Sequence, residues 1–287
     1  MLQSRFVFAD IHREIWQVFF RFSSILLITV LFCGLNAPGQ EPVEAPTPVP
    51  TPTPGGTRNS PGTFTADQIA ESSIFIYGGG GGRGVLDQIR KTTFERGRTH
   101  ALNAEGRMAN ANYQRWIIRG ETSTKDRIRL EQDFPTARFS LVSNGEQVFG
   151  IFNDRRFSPR EDASKAFENQ NLRSIDALLR FKENESAIAL SEPERIMGVD
   201  YYVVDLTDKA GRMTRYYVSQ RTFRVMMLEY EEAGVKYKRR FYDYRYAQNT
   251  LVPFRTVLWA DDSIIEETHI GTITFGQKVD EGLFIAS

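Results

Sequence analysis

A single cysteine and three histidines in 287 residues leave little material for thiol or metal chemistry. The cysteine, Cys33, falls inside the apolar run SSILLITVLFCGLNA. If that run is removed or embedded in a membrane, the rest of the chain has no thiol. Disulfides, cysteine nucleophiles and thiolate metal sites are then excluded. His100 and His269 stand far apart in the sequence and lack HExxH-type neighbours, so neither reads as a zinc ligand. There is no excess of charge either. Lysine plus arginine and aspartate plus glutamate number 36 each, so no whole-chain field draws the protein to nucleic acid or anionic lipid. No G-x-S-x-G elbow is present. The carboxylate pairs Glu231-Glu232, Asp261-Asp262 and Glu266-Glu267 lie in strand-like runs, where adjacent residues point to opposite faces. No motif calls for a cofactor or a metal, and the chain reads as a non-enzyme. The enzyme reading left open is a hydrolase whose carboxylates converge from separate strands.

What is present begins with an export-like N-terminus. Arg5, His12, Arg13 and Arg21 precede an uncharged stretch from Phe22 to Ala37, short for a membrane span and suited to a signal-peptide core. Ala37 and Gly39 suit cleavage before Gln40, although Asn36 and Pro38 do not. Val18, Phe19 and Phe20 lengthen the apolar segment, so residues 1–39 read as a signal peptide or a membrane anchor, with a periplasmic or cell-envelope location. Cys33 matches the end of a bacterial lipobox, but bulky Phe32 before it favours a small hydrophobe in an apolar core. Residues 40–63 alternate proline with small residues and form a linker. In polyproline II geometry Pro42 to Pro54 would span roughly 40 Å. Residues 64–287 form the folded domain; the chain as a whole is 41% apolar, which leaves ample material for a core.

The run YGGGGGRG, Tyr77 to Gly84, poses the choice between a phosphate cradle, an RNA-binding box and a turn. Before it, Thr65 and Gln68 form a capping-box pattern, and Ile69, Ser73 and Ile76 share a helical face. After it, Val85, Ile89 and Thr92 or Thr93 keep helical spacing, with Gly97 as the expected stop. The Lys-Ser/Thr of a phosphate loop is missing, and Arg83 stands alone among the glycines. The run therefore reads as a turn between two helices, and replacing Arg83 is expected to disturb folding little.

From about Ala104 the period becomes two. YQRWIIRGE and DRIRLEQDF form an expected strand pair in which Trp116 and Ile118 share one face, as do Ile128, Leu130 and Phe134. ARFSLVS and EQVFGIF are joined at Asn144-Gly145, a strong hairpin signal. A helical insertion follows, with Ile175, Leu178, Leu179 and Lys182 in register. Six further strands, from DYYVVDL to IIEETHIGTITFGQ, have turns at Lys209 to Gly211, Ala233-Gly234, Gln248-Asn249 and Asp261-Asp262. About ten strands without regular intervening helices argue for a mainly β (α+β) fold, an antiparallel sheet that curls as it grows. In VKYKRRFYDYRY, basic residues alternate with aromatics, the texture of a single-strand nucleic-acid platform. The alternation of Tyr242, Tyr244 and Tyr246 is also that of a half-buried strand, and strand packing is the reading that agrees with export and neutral charge.

These features, taken in order, resemble the outer-membrane lipoprotein-sorting proteins, the LolA/LolB-like superfamily with its RseB-type lipid-binding domains. The resemblance rests on TADQIAESSIFIYGG, DRIRLEQDFP with LVSNGEQVFGIF, PERIMGVDYYVVDLTDKAGRMTRYYVSQRTFRVMMLEYEE, YDYRYAQNTLVPFRTVLW and VDEGLF, across about residues 64–285. It implies a strongly curved antiparallel half-barrel sheet with helices packed in its concave face, and a cavity for acyl chains. The partners implied are lipid or lipoprotein acyl chains, with possible membrane association through the N-terminus and no nucleic acid. The role implied is a carrier or, alternatively, a tethered envelope-stress sensor. Trp116, Ile118, Ile128, Leu130, Phe139 and Leu141 are the expected ligand-binding wall, and the same residues would equally suit a closed core.

Overall fold

The structure, a computed structural model, describes residues 64–102, 107–135 and 138–285. The signal or anchor segment with Cys33 and the proline-rich linker lie outside the described residues. Thr65 caps helix α1 (Ala66–Tyr77): its hydroxyl accepts from the Gln68 amide, and the Gln68 side chain accepts from the Thr65 amide. Ile69, Ala70, Ser73, Ile74 and Tyr77 form the buried face of this helix. The glycines then make the expected turn into α2 (Gly82–Ile89). Gly79 has φ +60°, and a Cβ there would stand 2.3 Å from the Asn249 carbonyl oxygen, so both conformation and space require glycine.

Past α2 the structure departs from the expected helix. Strand β1 (Thr92–Leu102) begins at Thr92, and Gly97 is not a helix stop but the site of a bulge opposite β13. A Cβ at Gly97 would lie 2.0 Å from the His269 carbonyl oxygen. The strands that follow are β2 (Met108–Ile118), β3 (Arg127–Asp133), β4 (Arg138–Ser143), β5 (Val148–Phe152) and β6 (Arg155–Phe157). The helical insertion divides into α3 (Glu161–Leu172) and α4 (Ile175–Leu179). The second run comprises β7 (Ala187–Ile196), β8 (Val199–Thr207), β9 (Met213–Ser219), β10 (Val225–Glu232), β11 (Val235–Ala247), β12 (Thr250–Ala260) and β13 (Ser263–Phe275).

The thirteen strands of the described residues form one antiparallel sheet in the order β6-β5-β4-β3-β2-β1-β13-β12-β11-β10-β9-β8-β7. The first and last strands pair at its centre, and β6 and β7 are its edges, so the sheet curves into a half-barrel without closing. Register shifts in β1, β7, β10 and β12 add local twist. Apolar side chains on one face of β8–β12, among them Val204, Tyr216, Leu228, Phe241 and Leu251, pack against α1, α2 and α4. On the same face of β2 and β3, Tyr113, Ile128 and Leu130 pack against Phe167 of α3. The four helices thus fill the concave side. The opposite face of β2–β5 carries its own cluster, Val142 and Phe149 with Trp116, Ile118 and Ile151, covered by Phe284 from the C-terminal turn (Glu281–Phe284).

Candidate functional site

Between the concave face and the helices lies a cavity of about 200 Å3. Strand register decides what faces it. Ile117 stands opposite Ile128, Arg115 opposite Leu130 and Tyr113 opposite Gln132, and all six point inward. From the other side of the central pair come Arg239 and Phe241 of β11, Val252 and Thr256 of β12, and Glu266, Ile270 and Ile273 of β13. Phe167 of α3, Ile175 and Asp176 of α4 and Arg90 just past α2 close the helical side.

The apolar wall has a polar floor. Glu95 is only 3% exposed; one carboxylate oxygen accepts from the Tyr113 hydroxyl at 2.6 Å and the other from Arg115 Nη2 at 2.8 Å. A buried carboxylate is tolerable when both oxygens receive strong donors, one of them charged. Burial, and then the Glu95 charge, push the Tyr113 phenol far above its ordinary range, so it stays a donor. Asp176 binds Arg90 and, at 2.6 Å, Arg119. Burial would raise its pKa, but the two guanidinium groups overcome that and hold the carboxyl well below the usual range. Nearby, Arg180 and Asp126 form a buried pair at 2.9 Å, and Arg180 also donates to the Gly120 carbonyl at 2.7 Å. These contacts bolt the α4 end of the insertion to the β2–β3 connection.

Two further arginine features stand out. The Nε atoms of Arg90 and Arg115 are buried and have no hydrogen-bond partner. Arg239, 8% exposed, lines the cavity, and among the described residues its guanidinium makes no hydrogen bond and no ion pair.

The six residues expected as a ligand wall divide between the two faces. Ile128 and Leu130 line the cavity. Leu141 packs beside them, and Phe139, on the same face nearer the sheet edge, stacks on Phe134 at 5.7 Å between centroids. Trp116 and Ile118 point the other way, under the C-terminal turn. Ile117, between them, takes the inward position. Arg83, expected to be dispensable, donates to the Leu179 carbonyl and pairs with Glu183 at 2.6 Å and Glu71 at 2.9 Å, tying the glycine turn to α1 and to the residues after α4. His100 and His269, remote in sequence, meet edge to face at 6.2 Å, but among the described residues no cluster of three or more metal-ligating side chains exists.

No protein-family model matches the sequence, and no curated protein is similar to it by sequence. Solved structures do match the fold. A domain assigned to outer membrane lipoprotein sorting, from Vibrio parahaemolyticus, superposes with a TM-score of 0.54 at 14% identity, covering 76% of this chain and 97% of that one. A LolA-superfamily protein from Nitrosomonas europaea gives 0.52 at 14%, covering 78% and 98%. The chain has the LolA-like fold. A DUF1329-family protein from Desulfovibrio piger shares it, with a TM-score of 0.55 at 13% identity over 78% and 98% of the two chains. At such identities the LolA-like backbone is common property, and the side chains in the groove must be read from this chain alone.

Read that way, Glu95, Arg115, Arg239 and Asp176 are the residues that sequence reasoning missed. The signal for Arg239 was present: in YKRRF the inward parity of Tyr237 and Phe241 places Arg239, not its charged neighbours, toward the core.

Proposed function

We propose that this is an exported, non-enzymatic binding protein of the bacterial envelope that takes an acyl chain or another hydrophobic ligand into the cavity beneath α3. The observation that carries the reading is the cavity itself, walled by Ile117, Ile128, Leu130, Phe241, Ile270 and Ile273 on the concave side of a LolA-like sheet. Supporting it, a neighbour in fold bears the description of lipoprotein sorting. At about 200 Å3 the cavity is below the roughly 300–1,000 Å3 of ordinary small-molecule pockets, so a long chain requires one wall to move. Helix α3 is the wall suited to do so. It buries only Ala163, Phe167 and Asn169, whereas α4 is nearly all buried and carries the Asp176 ion pairs. Outward displacement of Phe167 would open the groove over Ile128 and Leu130.

The test is mass spectrometry of organic extracts from natively purified protein, with Ile128→Glu beside it. The unmodified protein should release an acyl-bearing molecule. The variant should keep its circular dichroism and carry none, because an unpaired carboxylate is costly in an apolar site but can be hydrated in an accessible groove. Absence of any such molecule, together with no uptake of the neutral probe N-phenyl-1-naphthylamine, would refute the function.

A further inference from the structure

We infer that the cavity selects an acyl chain ending in a carboxylate, and that Arg239 is the residue that receives it. The inference rests on the hydrophobic-ligand function above and names the chemical class of that ligand. Arg239 is more than nine-tenths buried, lines the cavity and makes no hydrogen bond or ion pair with any described residue. A guanidinium carries five donors, and those of Arg239 have no protein partner; its nitrogens are not sealed from solvent but stay open to the cavity, where a ligand can reach them. The other arginines at the cavity are provided for: Arg115 has Glu95, and Arg90 has Asp176 and the Leu251 carbonyl. Each of those two keeps one buried donor, Nε, without a partner. Three arginines around one space therefore hold unused donor capacity; Arg119 Nη1 and Arg224 Nε, also without a hydrogen-bond partner, lie outside its lining.

The carboxylates around the cavity do not absorb it. Glu95 and Asp176 are taken by the pairs just named. Glu266 faces the cavity from β13 with Leu258 between it and Arg239 in the strand register, and no ion pair joins the two. A carboxylate fits a guanidinium through two parallel hydrogen bonds. Its chain would then lie along Phe241, Ile270 and Ile273, toward Ile128 and Leu130.

The experiment is calorimetric titration of the protein, as recovered from its host, with three probes below their aggregation concentrations: dodecanoate, dodecanol and inorganic phosphate. Dodecanoate should bind at least about tenfold more tightly than dodecanol, the discrimination expected of a hydrogen bond to a charged group, and phosphate should not bind at millimolar concentration. In Arg239→Gln the preference should vanish while dodecanol binds within about twofold of its original affinity. Arg239→Met should melt at or above the temperature of the unmodified apo protein, because a buried cation without a protein partner is being removed. A merely structural arginine would lower it. Equal binding of dodecanoate and dodecanol, or a preference that survives Arg239→Gln, would overturn the inference and leave the hydrophobic-ligand function standing. Phosphate binding lost in Arg239→Gln would make this a free-anion site and overturn it too. Failure of both chain-bearing probes, in protein whose organic extract holds no acyl-bearing molecule, would overturn the inference and the function together.

Discussion

Asp176 is where the helical insertion is most exposed to a single change. Its carboxylate joins Arg90 on one side and Arg119 on the other, and both arginine side chains are 9% exposed. Replacing it by asparagine leaves two buried cations without their shared counter-ion. Arg90 retains the Leu251 carbonyl at 3.1 Å, and Arg119 retains Asp87 at 3.7 Å, itself 45% exposed. Removing one partner of a fully buried pair costs about 3–5 kcal/mol. The Asp176 side chain is 30% exposed, which discounts the loss to about 2–3 kcal/mol. For a domain of this size that corresponds to a fall of about 5–10 °C in Tm.

The pH dependence has a definite sign. The folded pKa of Asp176 lies below its unfolded value, so its contribution is fully present above the unfolded pKa of about 3.9 and is lost as pH falls toward the folded one. Within that window the unmodified protein loses about 1.4 kcal/mol per pH unit from this group, and Asp176→Asn loses nothing from it. Urea unfolding followed by circular dichroism should therefore show a constant difference between the two from pH 7 to 5. At pH 3 the difference should be smaller by about 1 kcal/mol. A difference below about 1 kcal/mol at pH 7, or one that does not narrow between pH 5 and 3, would refute the ion-pair account and leave Asp176 as a packing residue.

Gly97→Ala should destabilise by at least about 2 kcal/mol, since its Cβ would meet the His269 carbonyl oxygen at 2.0 Å and two paired central strands cannot separate locally; a melting curve shifted by less than a degree or two would refute that. Arg83→Ala should cost about 1–3 kcal/mol through loss of its bonds to Glu183, Glu71 and Leu179. A double-mutant cycle with Glu183→Ala should return a coupling of about 0.5–2 kcal/mol in denaturant melts, and zero coupling would reduce Arg83 to a loop residue.

Local signals in the sequence proved strong where one residue type has one physical use. Thr65 with Gln68 announced a helix start, and the glycine run announced a turn. Ala233-Gly234 and Gln248-Asn249 adopt the positive φ values of tight hairpins. Signals failed where burial comes from distant chain. Trp116, Ile117 and Ile118 are apolar in succession, so alternation alone cannot say which of them meets the helices. The answer depends on Phe284, more than 160 residues away, which covers the opposite face. Strand β1 was hidden for a related reason: Thr92 and Thr93 fit a helical spacing after Val85 and Ile89, while pairing with both β2 and β13 settles the matter. Edge strand β7 was obscured by Pro193, which lies where the register shifts between Ser191 and Glu194 and so interrupts no regular ladder.

Strand β11 carries the pattern that has the texture of a nucleic-acid platform and reads as strand packing. Tyr237 and Phe241 reach the helical core, so the alternation turns Lys236, Lys238 and Arg240 outward, where Arg240 lies over Trp259 at 5.7 Å. At Asp243, with φ +52°, the alternation slips: Tyr242 stays outside against Arg255, and Tyr244 enters the core to bond Tyr77 at 3.0 Å. The basic and aromatic residues that resemble a nucleic-acid platform are thereby distributed over two faces, with Tyr237, Phe241 and Tyr244 turned to the core. What the alternation does not absorb is Arg239, a cation at an inward position among aromatic neighbours. Packing alone would favour an apolar residue there, as it would at Glu95 and Arg115 on the same inward face, but those two satisfy each other and Arg239 has no protein partner.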